Sequence, residues 1–292
     1  MNEPRLAHVQ CLGAKGLHRM AYWQWGDPAN PRVVVCVHGL SRQGRDFDTL
    51  AQDLASSYRV VCPDVVGRGR SDWLADPAGY AIPAYVADMV TLIARLNVPQ
   101  VDWVGTSMGG LIGLGLASLP HSPVRRLVLN DVGPAIQPES LRRIGSYLGL
   151  PQHWKTVEEA ATALWAISQG FGPHTREQWL ALTRPQLVAH VQDGVAGFKS
   201  HYDPAIAVPV RAITPALAAA GEAYLWHSYD RITAPTLLLR GASSDLLSHA
   251  TALAMTQRGP RAQLHELPGV GHAPTLVAAD QRAVVRSFLL AP

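Results

Sequence analysis

An apolar run, Val101-Asp102-Trp103-Val104, leads straight into Gly105-Thr106-Ser107-Met108-Gly109 and then into a stretch rich in small residues with helical character. A chain that passes from strand to helix there must reverse within one or two residues. The side chain at the apex, Ser107, is then held outward, and glycines two positions before and after it let neighbouring backbone approach without a clashing Cβ. The five letters alone are weak, because an ordinary turn with a helix-capping serine reads the same way. The glycines downstream weigh against that simpler reading. Gly109, Gly110, Gly113 and Gly115 each cost about 1 kcal/mol in a helix interior relative to alanine, so close packing of this helix on a sheet has to favour them.

The rest of the chain supplies such a sheet. Leu6 to Leu12 and Leu17 to Trp25 read as an opening hairpin around Gly13 and Gly16. β signals then recur at Arg32 to Val37, Tyr58 to Pro63, Val101 to Val104, Arg126 to Asn130, Thr236 to Arg240 and Gln263 to Leu267. Helical patterns fall between them, near Gly44 to Ser56 and Pro83 to Leu96, and Ala278 to Leu290 closes the chain. This alternation predicts an α/β fold with a mostly parallel sheet covered by helices on both faces.

The rhythm breaks between about 135 and 226, where helical patterns occur with almost no β-branched run. Thr156-Val157-Glu158-Glu159 and Thr175-Arg176-Glu177-Gln178 fit the capping box, and Thr214-Pro215 opens a further helix through Tyr224. The expected organisation is a core formed by 1–134 and 227–292, with 135–226 as an inserted helical lid over the carboxyl ends of the strands. Trp154, Trp165, Trp179 and Trp226 lie in or near that insert, where some should line an apolar pocket and others should only pack.

Composition excludes several classes. With 48% hydrophobic residues over 292 positions the chain folds around a large core. Its formal charge of +3 comes with 22 Arg and 3 Lys scattered along the sequence, without the basic stripe and interleaved aromatics of a nucleic-acid face. No apolar run approaches the roughly 18 residues of a membrane span. The first residues lack the features of a signal peptide, so a soluble cytoplasmic protein is expected. Cys11, Cys36 and Cys62 have no C-x-x-C spacing and read as free thiols of a reducing compartment, with no metal site implied.

A serine nucleophile needs a general base, a carboxylate to orient it, and fixed donors for the developing oxyanion. Each has a candidate at a strand end. His272 lies in Gly269-Val270-Gly271-His272, past the last strand. Asp245 follows Thr236 to Arg240 and is the first choice for the acid, with Asp131, after Arg126 to Asn130, second. His38-Gly39-Leu40 follows the third strand, so the N–H groups of Leu40 and Met108 are the expected oxyanion donors, while His38, Gly39, Gly105 and Gly109 shape the surrounding loops. Arg42 is a candidate contact for a substrate carboxylate, set against a simple ion pair with Asp46 or Asp48.

Taken together these residues resemble the α/β-hydrolase superfamily over nearly the whole chain. Asp64-Val65-Val66-Gly67-Arg68-Gly69-Arg70-Ser71 is similar to the D-x-x-G-x-G-x-S turn found there. The resemblance implies an eight-stranded sheet with only the second strand antiparallel, an inserted lid and no cofactor. One departure stands out: three residues separate Gly241 from Asp245, where members of the family often have two.

The activity implied is hydrolysis of a small-molecule carboxylic ester through an acyl-enzyme, as in carboxylesterases and lactonases, with short aliphatic polyesters or their oligomers as a further substrate class. A carbon–carbon bond hydrolase of ring-cleavage products, a cofactor-free perhydrolase and a small-ligand receptor are the alternatives. The oligomeric state is left open.

Overall fold

The computed structural model describes residues 3–291. Ten strands are present among them: β1 (Arg5–Gly13), β2 (Gly16–Trp25), β3 (Val33–Val37), β4 (Arg59–Pro63), β5 (Val101–Thr106), β6 (Val124–Asn130), β7 (Leu187–Gln192), β8 (Val195–Ser200), β9 (Thr236–Gly241) and β10 (Gln263–Leu267). Eight of them form the central sheet, ordered β1-β2-β4-β3-β5-β6-β9-β10. β2 runs antiparallel to both of its neighbours, and the remaining pairings in this sheet are parallel.

The central strands are apolar along their whole length because both of their faces are covered. Alternate residues of β3 divide between two cores. Val33, Val35 and Val37 point into the side that holds Leu92 and Met89 of α2 (Ile82–Leu96) and Ile112 and Leu116 of α3 (Met108–Ala117). Val34 and Cys36 face Leu50 and Leu54 of α1 (Asp48–Leu54) and Val285 and Leu289 of α10 (Ala279–Leu290). All three cysteines are buried and unpaired. α9 (His249–Gln257) connects β9 to β10, and His265 of the edge strand β10 is exposed.

The segment joining β6 to β9 contains α4 (Pro138–Tyr147), α5 (Val157–Ala166), α6 (Arg176–Thr183), α7 (Ala207–Arg211) and α8 (Pro215–Asp230). The Thr175 box is complete, with Thr175 Oγ1 accepting from Gln178 N and Gln178 Oε1 accepting from Thr175 N. Thr156 caps α5 from one side only, because the Glu159 carboxylate accepts from Lys155 N. The helix opened by Thr214 continues beyond Tyr224 to Asp230, so position 226 falls inside it.

This segment is not wholly helical. β7 and β8 form an antiparallel hairpin within it. Its two-residue turn, Asp193-Gly194, has both φ angles positive, at 50° and 77°, the conformation that Asp-Gly turns adopt between twisted strands.

The segment is tied to the sheet's loops at several places. Gly271 N, beside His272, donates to Gly170 O at 2.7 Å, and Asp203 N donates to Gly67 O at 2.8 Å. Among the described residues no single helix is long and apolar enough to cross a membrane.

Candidate active site

Ser107 sits between β5 and α3 with φ 51° and ψ −115°, a strained backbone for a residue with a side chain. Two glycines make the turn possible. A Cβ on Gly105 would collide with the Gly109 carbonyl, and a Cβ on Gly109 would collide with the Val37 carbonyl at the end of β3. Further along α3, Gly113 lies directly against the Trp103 indole, whose Nε1 donates to Gly109 O at 3.0 Å. The glycines therefore bring helix and sheet together under the elbow, as their helix cost implied.

His272 Nε2 stands 3.0 Å from Ser107 Oγ, and His272 Nδ1 stands 2.7 Å from Asp131 Oδ2. With Nδ1 protonated and donating to the carboxylate, Nε2 is left to accept the Ser107 hydroxyl proton. Asp131 is fully buried and occupies the left-handed region at φ 57°, which aspartate tolerates better than most residues. Its other bonds hold it in place: Oδ1 accepts from Gly241 N at 2.8 Å, and Oδ2 accepts from Ser244 Oγ at 2.6 Å. Asn130 braces the same corner, with Nδ2 donating to Thr106 Oγ1 and to Pro274 O.

Asp245, the first choice for the acid from its place after β9, lies away from the imidazole. Its Oδ2 pairs with Arg143 of α4 at 2.8–2.9 Å, with both side chains about half exposed. Such a pair contributes about 0–1 kcal/mol to stability. The last residue of β9 and the loop after it thus supply hydrogen-bond donors, Gly241 N–H and Ser244 Oγ–H, to a carboxylate that comes from the end of β6. The unusual spacing between Gly241 and Asp245 was the sequence signal for this exchange.

The His38-Gly39-Leu40 loop runs beside Ser107, close enough that a Cβ on Gly39 would lie 3.8 Å from that of Ser107. His38 is fully engaged, with Nδ1 donating to Gly39 O at 2.7 Å and Nε2 accepting from Val65 N at 3.0 Å. Burial lowers its pKa to about 3, so the ring is neutral.

Sequence reading gave no role to Arg68, which is completely buried. Its Nε donates to Leu40 O at 2.9 Å and its Nη1 to Val66 O and Tyr85 Oη, while Nη2 reaches Met108 Sδ at 3.6 Å. The guanidinium also lies over the Tyr80 and Tyr85 rings. It therefore touches both residues whose backbone N–H groups were expected to face an oxyanion. Asp64 organises the same turn, accepting from Gly44 N and Arg70 N, and burial raises its pKa to about 6.

Above Ser107 is a cavity of about 110 Å³, walled by sheet loops and by the segment between β6 and β9. Leu164, Ile167 and Phe171 give it an apolar side, and Gln152, Ser200 and His201 a polar one. None of the four tryptophans near the insert lines it. Trp165 and Trp179 stack edge to face at 5.0 Å, Trp226 packs on Tyr229, and Trp154 bridges Phe198. The rings of Trp165, Trp179 and Trp226 serve packing, and Trp154 pairs with Phe198 through its backbone. Arg42 lies in the cavity wall with Nε and Nη2 on Asp46 at 2.6 and 2.7 Å, the ion pair set against substrate contact from sequence.

A cluster of possible metal-ligating groups lies elsewhere, where Cys11, His18 and Asp88 bring their donor atoms within 4.8 Å of one another. His18 Nε2 donates to Asp88 at 2.9 Å, and burial, with Asp88 beside it, raises the Cys11 pKa to about 12.

Comparison with known proteins agrees with this architecture. A family model described as the α/β hydrolase fold matches residues 32–279. A 3-hydroxybutyrate-oligomer hydrolase of Cupriavidus necator is 59% identical over 98% of this chain and 97% of its own. An esterase of Escherichia coli, YbfF, is 25% identical over 83% of this chain and 87% of its own. Among solved structures, an α/β hydrolase from Novosphingobium aromaticivorans superposes with a TM-score of 0.84 at 35% identity, covering 99% of both chains. The elbow, the sheet order and these matches place the chain in the α/β-hydrolase family.

Proposed function

We propose that this hydrolase cleaves the ester bonds of short 3-hydroxybutyrate oligomers, through an acyl-enzyme on Ser107. The observation that carries the reading is the hydrogen-bonded series Ser107, His272, Asp131 opening into a small cavity. The substrate class is drawn from the relative that is 59% identical over nearly the whole chain. The cavity supports it, since about 110 Å³ suits one small acyl unit better than a ligand that fills the ~300–1,000 Å³ of a typical drug-sized pocket.

In this mechanism His272 takes the Ser107 proton as Oγ attacks the ester carbonyl. Asp131 fixes the imidazole tautomer and stabilises the imidazolium. The N–H groups of Leu40 and Met108 receive the oxyanion, with His38 Nδ1 holding the Gly39 carbonyl of the peptide that carries the Leu40 N–H and Arg68 holding the carbonyl on the other side of Leu40. His272 then gives its proton to the departing alkoxide oxygen, which leaves as the hydroxyl of the second unit. Water, activated by the same imidazole, breaks the acyl–serine bond and releases the first unit.

The segment 135–226 acts as a lid that shields the acyl-enzyme. Three buried, unpaired cysteines support placing the reaction in a reducing compartment, the cytoplasm. The test is release of 3-hydroxybutyrate from its synthetic dimer and trimer, followed by chromatography, with wild type and Ser107→Ala. Turnover by the wild type alone supports the reading, and intact dimer and trimer in both reactions refute it.

A further inference from the structure

Two arginines stand in the cavity wall, and the structure treats them differently. Arg42 is 12% exposed, chelates Asp46 with two nitrogens and reaches the Leu182 carbonyl, and Asp46 also accepts from Gln186 at 2.8 Å. Pulling Arg42 onto a ligand would strand a carboxylate that is only 19% exposed, which is unfavourable. The two buried histidines of the wall, His38 and His201, are held neutral, because burial lowers both pKa values. Their rings offer no positive charge to a ligand.

Arg143 differs. It projects from α4 into the rim of the cavity with its side chain 41% exposed, and its ionic partner, Asp245, is 51% exposed. Both nitrogens of the pair meet one oxygen, Asp245 Oδ2, so the pairing engages only part of a guanidinium that has five N–H donors. Exchanging one half-exposed carboxylate for another costs little, and a planar guanidinium matches a carboxylate with two parallel hydrogen bonds.

We propose that Arg143 binds the free carboxylate at the end of the oligomer, so that the enzyme selects chains with an unblocked carboxyl terminus. The inference rests on the substrate class proposed above. In the cleavage step Ser107 Oγ bonds to the carbonyl carbon, the carbon–oxygen ester bond breaks, and the leaving alcohol is the portion that carries the carboxylate held by Arg143. Asp245 keeps the guanidinium over the rim in the free enzyme and yields to the substrate.

The test compares the 3-hydroxybutyrate dimer with its terminal carboxamide, a neutral analogue of nearly the same shape that keeps the same scissile ester. The wild type is expected to favour the carboxylate by about 10-fold or more in kcat/KM, mainly through KM. Raising NaCl from about 0.05 to about 0.5 M should shrink that preference, since the contact is at the rim. In Arg143→Gln the preference should fall to about 1, and Arg143→Lys should recover part of it. Because the readout is a ratio of two substrates on the same protein, a general loss of folded enzyme does not imitate the effect. Equal use of both substrates by the wild type, or a preference that survives Arg143→Gln, overturns the role of Arg143 while leaving the ester reading intact. Failure of the wild type to cleave either substrate overturns both.

Discussion

Asp131 Oδ2 lies 2.7 Å from His272 Nδ1 although 141 residues separate the two in the chain, one at the end of β6 and the other in the loop after the edge strand β10, with β9 between those strands. The carboxylate expected first from its place after β9, Asp245, belongs to a surface ion pair instead.

Substitution separates these two carboxylates. Asp131→Asn keeps the shape but removes the charge that sets the imidazole tautomer, and kcat on p-nitrophenyl butyrate should fall by about 10³- to 10⁴-fold. Asp245→Asn should stay within a few-fold of wild type on the same ester. A large loss in Asp245→Asn with activity kept in Asp131→Asn would reverse the assignment.

Arg68 offers a test of how the expected oxyanion donors are held. Arg68→Met keeps much of the volume among Tyr80, Tyr85 and Met108 but leaves the Leu40 carbonyl without its donor. If Leu40 then shifts and carries its N–H out of line, kcat should fall by about 10- to 100-fold with little change in KM, reaching the range seen when one oxyanion donor is lost. Steady-state kinetics alongside a thermal melt distinguishes this from simple unfolding, since a lower Tm with unchanged kcat would mean that Arg68 only stabilises.

The elbow glycines predict a stability effect. Gly109→Ala places a methyl group against the Val37 carbonyl, where neither β3 nor α3 can give way easily. Overpacking of this kind costs about 1–3 kcal/mol, so the urea midpoint should drop. Unchanged stability would show that α3 can move off β3 without cost.

How much of this is legible in the sequence varies with range along the chain. The strands, the elbow and the Thr175 cap follow from local signals, periodicity and capping chemistry, and they appear at the expected positions. The hairpin of β7 and β8 is also written locally, in Asp193-Gly194 between runs such as Leu187-Val188 and Val195-Ala196, but the helical look of the surrounding segment conceals it. The acid is not a local matter. Which aspartate meets His272 depends on how the loop after β9 packs, and there Ser244 donates to Asp131 while Arg143, from α4, captures Asp245. Arg68 is hidden for a similar reason, because nothing in a Gly-Arg-Gly turn reveals that the arginine points inward.

His38 predicts a pH dependence of stability. Its folded pKa of about 3 lies below the ordinary value near 6.5, so the native state resists a proton that the unfolded chain accepts. The contribution is intact above pH 6.5 and is lost as pH falls from there towards 3, at a slope of about 1.4 kcal/mol per pH unit. The stability difference between wild type and His38→Asn, from urea titrations between about pH 5 and 8, should therefore be constant above about pH 7 and shift against the wild type in acid. A difference independent of pH would mean that His38 titrates normally in the fold.

Covalent catalysis by Ser107 is tested by cleavage of the 3-hydroxybutyrate dimer with wild type and Ser107→Ala, and by mass spectrometry of the wild type quenched during turnover. Steady release of monomer by the wild type alone is expected, with a transient 3-hydroxybutyryl adduct on Ser107. Monomer release by Ser107→Ala at the wild-type rate would contradict the acyl-enzyme mechanism.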